Sequence, residues 1–314
     1  MASYPDMDGS IAIPRATTRS RLPTDAHIGR VRLRVGDLGR ALEFYRDILG
    51  LAVQRDEGNR VSLAPRRNDV KAGGSAENRE LIVLEEQPGI GRRPLRPQTT
   101  GLYHVALLVP TRRELGRALL RLRETSYPLR GMSDHAVSES LYLDDPDGNG
   151  LEIYADRPRE LWPVRQGVIQ MTVDPMDVAG VIAAGHEDSA PWRGLPDETV
   201  VGHVHLTVSH MERSLTFYRD VIGFDEMMRI PSLTAVSAGG YHHHLNLNTW
   251  AGEGAPPDSD QVAGLLSWEL RIPGEEDRRA LTERLAAAGA LTESSTGLTA
   301  RDPDGVCIEG AISS

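Results

Sequence analysis

Cysteine is all but missing from this 314-residue chain, in which Cys307 stands alone. No intrachain disulfide can form, and a zinc site built from thiolates is excluded. Such usage fits a reducing compartment. Long apolar runs are missing as well. No stretch approaches the ~18 residues that a membrane span requires. Residues 1–10 show no apolar run behind a basic one, so no secretory signal is expected and a cytoplasmic location is. Positive charge is in deficit: 35 Lys and Arg face 45 Asp and Glu, for a formal net charge of −10. Nucleic-acid binders concentrate positive charge, so a nucleic-acid partner is not expected. The remainder, 39% hydrophobic and 25% charged, is the composition of a globular chain long enough for about two domains.

What the chain does have is repetition. Val31-Arg32-Leu33-Arg34-Val35, followed by Phe44-Tyr45-Arg46-Asp47 and Gly50, returns as Val204-His205-Leu206-Thr207-Val208, followed by Phe217-Tyr218-Arg219-Asp220 and Gly223. Asp145-Pro146-Asp147-Gly148 with Glu152 returns as Asp302-Pro303-Asp304-Gly305 with Glu309. Internal repeats fix architecture. They also act as a control, because a residue present in one copy and absent from its twin is not demanded by the fold.

Each module reads as a strand, a helix and about three further strands. Val31, Leu33 and Val35 alternate with Arg32 and Arg34, the pattern of a half-buried strand. Asp37 can cap a helix carrying Leu38, Ala41, Leu42 and Tyr45 on one stripe, and Gly50 can end it with φ > 0. The second module opens at Gly101 with a helix over roughly 112–124. The third runs from Gly202 to Trp250, and the fourth from Gly264 through a helix near 275–289 to Ile312. An α+β fold of four βαβββ modules is expected. Its parts are a loose tail (1–24), an N-terminal pair of modules (25–157), a connection (158–199) and a C-terminal pair (200–314). The connection is proline-rich with no clean period.

One run stands out chemically. On a strand, His242, His244, Asn246 and Asn248 would share a face, with Tyr241, His243, Leu245 and Leu247 on the other. An imidazole-and-amide face is expensive to bury unless it meets a ligand, metal or water. Lining a pocket that binds a phenolic or carboxylate group fits it best, with Trp250 as a wall.

Four modules in this order, with Asp134-His135-Ala136-Val137-Ser138-Glu139 and Gly240-Tyr241-His242-His243-His244 between the repeated motifs, resemble the vicinal oxygen chelate superfamily. Within it the chain is similar to two-domain extradiol ring-cleaving dioxygenases of the catechol 2,3-dioxygenase-like branch. The resemblance implies half-barrel domains and a mononuclear Fe(II) site at which O2 is inserted into a catechol-type aromatic substrate. Mn(II) or Zn(II) are the alternative ions, and assembly into a homo-oligomer is common among such proteins.

The resemblance also implies a ligand set of two imidazoles and one carboxylate on one face of the metal, the arrangement of non-haem Fe(II) oxygenases. His104 and His203 occupy the family's first-strand slots, where the twins are Ser267 and Arg30. Glu152 and Glu309 occupy its last-strand slots. Glu152 is preferred because His104 lies in its own module, and Glu309 is the alternative. Neither sequence-adjacent pair of modules holds all three ligands. Modules two and three should therefore combine into the metal-bearing half-barrel, leaving one and four as a scaffold. Under the ordinary pairing, His203 and Glu309 would need help from His242 or His244.

His135 matches the segment that supplies an acid–base histidine in extradiol enzymes. Tyr142 is a pocket hydroxyl that could act with it. His205 faces the same side of its strand as His203 and is a candidate to touch substrate, together with His242, His244, Asn246 and Trp250. Two other readings use the same scaffold. One is a glyoxalase-like isomerase or transferase with zinc and a fourth ligand from Asn246 or His244. The other is a resistance protein that binds an aromatic compound without catalysis.

Overall fold

The computed structural model describes residues 21–66, 80–187, 190–292 and 298–311. Most of the expected tail, and Ile312 at the end of the fourth module, lie outside them. The first module comprises β1 (His27–Val35), α1 (Leu38–Leu42), β2 (Ala52–Asp56), β3 (Arg60–Ala64) and β4 (Ile82–Glu86). The second comprises β5 (Gly101–Leu108), α2 (Arg112–Glu124), β6 (Gly131–Asp134), β7 (Ser138–Asp144) and β8 (Gly150–Asp156). The connection carries a small hairpin, β9 (Val164–Arg165) and β10 (Val168–Ile169), then α3 (Val178–His186). The third module is β11 (Val200–Thr207), α4 (Met211–Thr216), β12 (Asp225–Ile230), β13 (Leu233–Ser237) and β14 (Leu245–Asn248). The fourth is β15 (Gly264–Arg271), α5 (Glu275–Ala287), β16 (Leu291–Thr292), β17 (Leu298–Arg301) and β18 (Cys307–Ala311).

These strands form two eight-stranded sheets, ordered β12-β13-β14-β11-β5-β8-β7-β6 and β16-β17-β18-β15-β1-β4-β3-β2. Modules two and three thus share one sheet and modules one and four the other, the pairing that the distribution of histidines implied. Each sheet takes one module from each half of the sequence. At both centres the first strands of two modules run antiparallel, β5 with β11 and β1 with β15. Each first strand is flanked on its other side by the parallel last strand of its own module.

The repeated motifs explain how the sheets hold together. Asp37 caps α1 by accepting from the Arg40 amide, and Gly50 takes φ +75° just beyond the helix. In both odd modules the Phe-Tyr-Arg-Asp stretch widens into a π-helical turn, Glu43–Ile48 and Phe217–Ile222. That turn buries Tyr45 and Tyr218. Tyr45 donates a 3.1 Å hydrogen bond to Asp145 of module two, and Tyr218 a 2.7 Å bond to Asp302 of module four. The other oxygen of each aspartate accepts two backbone amides of its own turn, those of Asp147 and Asn149 and of Asp304 and Val306. The two repeats are therefore halves of one clasp. A buried acid orders its turn and receives a tyrosine from the opposite sheet.

Candidate metal centre and cavity

Register decides which side chains meet. His203 on β11 pairs with Ala106 on β5, and Ala106 pairs with Glu152 on β8. His104 stands two residues before Ala106, on the same face. Three polar groups therefore surround one alanine. The alternating residues Val105, Leu107, Leu151 and Ile153 belong to the apolar core. His104 Nε2 lies 3.2 Å from His203 Nε2 and 3.0 Å from Glu152 Oε2, and His203 Nε2 lies 3.1 Å from the same oxygen. All three residues are buried.

Protons cannot join this triangle along every edge. An imidazole nitrogen either donates or accepts, so when both donate to Glu152 they face each other as donors. A cation in the middle satisfies all three. The edge lengths suit one: ligand bonds of ~2.1 Å at right angles place neighbouring donors ~3.0 Å apart, whereas a tetrahedral angle would spread them to ~3.4 Å. Burial would raise the carboxyl pKa of Glu152, but His203 and His104 outweigh it and hold the group well below the ordinary range. Burial lowers the His203 imidazole to about 4 despite Glu152. The donors are thus two imidazoles and one carboxylate, a set that fits a divalent ion.

The triad opens onto a cavity of about 750 Å³, counting its mouth. His104, Glu152, Tyr103, His135, Tyr142, His205, His243, Asn246 and Trp250 line its polar end. Tyr142 is the β7 partner of Glu152 and therefore shares its face. His135 follows β6. Its Nδ1 donates to the Thr172 carbonyl at 2.7 Å, which leaves Nε2 to accept from the Tyr142 hydroxyl at 2.6 Å. With a proton on Nδ1, the ring turns Nε2 toward the Tyr142 hydroxyl on the cavity side. Trp250 donates its amide to Asn248 Oδ1, so the Asn248 amide nitrogen donates to His205 Nε2 at 2.9 Å. His205 is thereby occupied at Nε2, beside His104, with which it pairs across the strands. Among the described residues, the buried Asn246 Oδ1 has no hydrogen-bond partner.

The three-histidine run differs from the expected strand pattern. Regular pairing begins only at Leu245, so the alternation does not extend back through Gly239 and Gly240, both at positive φ. His243, expected to face away, lines the cavity, whereas His242 and His244 do not. His242 donates to Asp156 at 2.8 Å and contacts His243 Nδ1 through its own Nδ1. His244 accepts from the Ala238 amide and bonds Ser237. Burial pushes the imidazole pKa of His243 well down, and that of His244 to about 3.

Glu309 stands on the other sheet, where cationic side chains take the place of a metal. Arg32 contacts it at 2.6 Å, Arg30 at 3.5 Å, and Ser267 donates at 2.6 Å. At the position matching Ala106, Glu269 pairs with Glu309 across the strands and accepts from the Arg30 amide. His104, His203, Glu152, His135, Tyr142, His205, Asn246 and Trp250 are brought together, and Glu309, His242 and His244 are not.

Sequence reasoning missed Tyr103, His243 and the segment Met171–Thr172–Val173, which also lines the cavity. The segment bridges to the β6 end, where the Asp134 and Asp174 amides each donate to the other's carbonyl at 2.9 Å. No periodicity marked it, because a strap tied down by one isolated bridge and by the bonds between Thr172 and His135, outside any paired strand, need not alternate.

Two curled sheets of paired modules, one bearing a His-Glu-His centre, define a known class. The chain belongs to the glyoxalase/bleomycin resistance protein/dioxygenase superfamily, whose family model matches residues 27–153 and 200–309. It is 41% identical over 284 residues to a catechol-2,3-dioxygenase of Bacillus subtilis (strain 168), covering 89% of this chain and 94% of that protein. It is 28% identical over 166 residues to biphenyl-2,3-diol 1,2-dioxygenase 3 of Rhodococcus globerulus, covering 50% of this chain and 82% of that one. Its fold is similar to that of glyoxalase I from Zea mays, with a TM-score of 0.54 at 15% identity over 90% of this chain and 91% of the other. Among the described residues, no helix is long and apolar enough to cross a membrane.

Proposed function

We propose that this protein is an extradiol ring-cleaving dioxygenase acting on a catechol-type substrate with O2, with Fe(II) held by His104, His203 and Glu152. The observation that carries this is the triangle of donor atoms opening onto a cavity whose acceptor, His135 Nε2, is already oriented. When bound, the ferrous ion supplies the redox chemistry through which molecular oxygen can react with an aromatic diol. The protein's part is positioning and proton handling.

His104, His203 and Glu152 occupy one face of the centre and leave the cavity side open. His135 takes a hydroxyl proton of the diol at Nε2, and its Nδ1 bond to Thr172 stabilises the resulting imidazolium. Tyr142, hydrogen-bonded to the same nitrogen, holds the ring in place and, when Nε2 is protonated, accepts from it and donates its own O–H hydrogen bond to the diol oxygen. Asn246 Oδ1, unpartnered among the described residues, accepts a substrate hydroxyl. Trp250, edge-on to Tyr103 and His205 at 5.0 and 5.3 Å, walls the ring in. A cytoplasmic setting agrees with the single cysteine and with a ferrous cofactor. Anaerobic reconstitution with Fe(II), followed by oxygen and a catechol, should yield the yellow ring-opened product. Stoichiometric zinc with turnover of hemithioacetals and none of catechols would overturn the assignment.

A further inference from the structure

Beyond the polar end, the cavity lining changes character. Met171 and Val173 come from the connection, on either side of Thr172, Met228 and Ile230 from alternate positions of β12 at the edge of the sheet, and Leu233 from β13, while Trp250 bonds Ser232 beside Leu233 and lies edge-on to His205. Among the described residues, no Arg or Lys lines the cavity. The neighbouring cations are committed elsewhere. Arg157 bonds Asp134, Arg229 pairs with Glu212, and Arg159 donates to the carbonyls of Gly239 and Gly240.

Resting on the dioxygenase reading above, we propose that the substrate is a catechol carrying a bulky, uncharged, apolar substituent, an aryl ring or branched alkyl group, and that catechols bearing a carboxylate are rejected. A bare catechol offers only four ring C–H groups beyond its hydroxyls, too few to cover Met228, Ile230 and Leu233 while its oxygens sit at the imidazoles. Filling the space between the diol site and the methionines and isoleucine removes apolar surface from water on both partners. The two methionines let the wall adapt to substituents of differing shape. A carboxylate in the same place would be desolvated with no Arg or Lys among the described lining residues to pair with it, which is costly. Specificity is thus set by the connection and by the far edge of module three, both separate from the strands that bear the metal ligands.

Binding and turnover separate this inference from the activity it rests on. Calorimetry without oxygen on the ferrous holoenzyme would compare 3-phenylcatechol and 4-phenylcatechol with 3,4-dihydroxybenzoate. The tighter phenylcatechol should bind at least ~10-fold more strongly than the carboxylated ring. Equal affinities, tighter binding of the carboxylate, or no binding of any of the three would overturn the inference. Tight phenylcatechol binding without cleavage once oxygen is admitted would uphold the wall and overturn the dioxygenase assignment. Ile230→Arg should shift the affinity ratio toward the carboxylated ring by ~10-fold or more, and an unchanged ratio would contradict the wall. Met228→Ala, a milder change, should weaken phenylcatechol binding several-fold with little effect on the carboxylated ring.

Discussion

At the scale of single residues, the molecule holds one carboxylate slot twice and uses it in two ways. Glu152 faces two imidazoles, while Glu309 faces two guanidiniums and a serine hydroxyl. Burial would raise the Glu309 carboxyl pKa, yet Ser267, Arg32 and Arg30 hold it below its ordinary value. Its folded pKa is depressed, so its contribution to stability is present above pH ~4.5 and lost as pH falls through the folded value. Glu309→Gln should cost about 1–3 kcal/mol in urea unfolding at pH 7 while iron content stays at the wild-type level. Loss of iron in that variant would mean that the two slots had been assigned the wrong way round. The ligand residues were legible in the sequence because the repeat exposed them: His104 and His203 lack histidine twins. Ala106 was not legible. Its role as the floor between three donors exists only once strands β11, β5 and β8 are in register.

At the scale of elements, the sequence showed most of the helices and turns. Asp37, Gly50 and the apolar stripes carried local signals, and α2 falls within the expected limits. The Phe-Tyr and Asp-Pro-Asp-Gly motifs read as core packing and a turn, but their partnership needs tertiary structure, since Tyr45 meets Asp145 from another sheet. Each clasp should therefore behave as a coupled unit. Tyr45→Phe removes one buried hydrogen bond and should lower stability by about 1–2 kcal/mol. Tyr45→Phe with Asp145→Asn should cost less than the sum of the two single changes, as measured by a double-mutant cycle. Strict additivity would show that the clasp carries no coupling. The histidine run misled for a local reason: two glycines at positive φ precede it, and period-2 alternation holds only within a paired strand.

At the scale of the whole molecule, one sheet keeps its concave face polar and buried for a cation while the other fills the same place with arginines. The cost of the first arrangement shows when metal is absent. His203 is lowered to about 4 and His244 to about 3, and His205 and His243 are well below the ordinary imidazole range, all through burial. Between pH ~6.5 and ~4 the unfolded chain takes up protons that the folded chain refuses, so stability falls as pH falls. At ~1.4 kcal/mol per pKa unit, His203 alone accounts for about 3 kcal/mol over that window. The urea midpoint of metal-free protein should drop markedly from pH 7 to pH 5. A flat profile would show that the imidazoles titrate as if exposed. The pairing of modules two with three was readable only because the histidines were divided between them, since periodicity alone does not distinguish which first strands will meet.

Iron stoichiometry after anaerobic reconstitution tests the centre most directly, measured on the wild type beside His104→Ala, His203→Ala, Glu152→Gln and Glu309→Gln. About one ferrous ion per chain should be retained by the wild type and by Glu309→Gln, with affinity lowered at least ~100-fold in each of the other three. Full iron retention in Glu152→Gln or either histidine variant, or its loss in Glu309→Gln alone, would contradict a cation held between β5, β8 and β11.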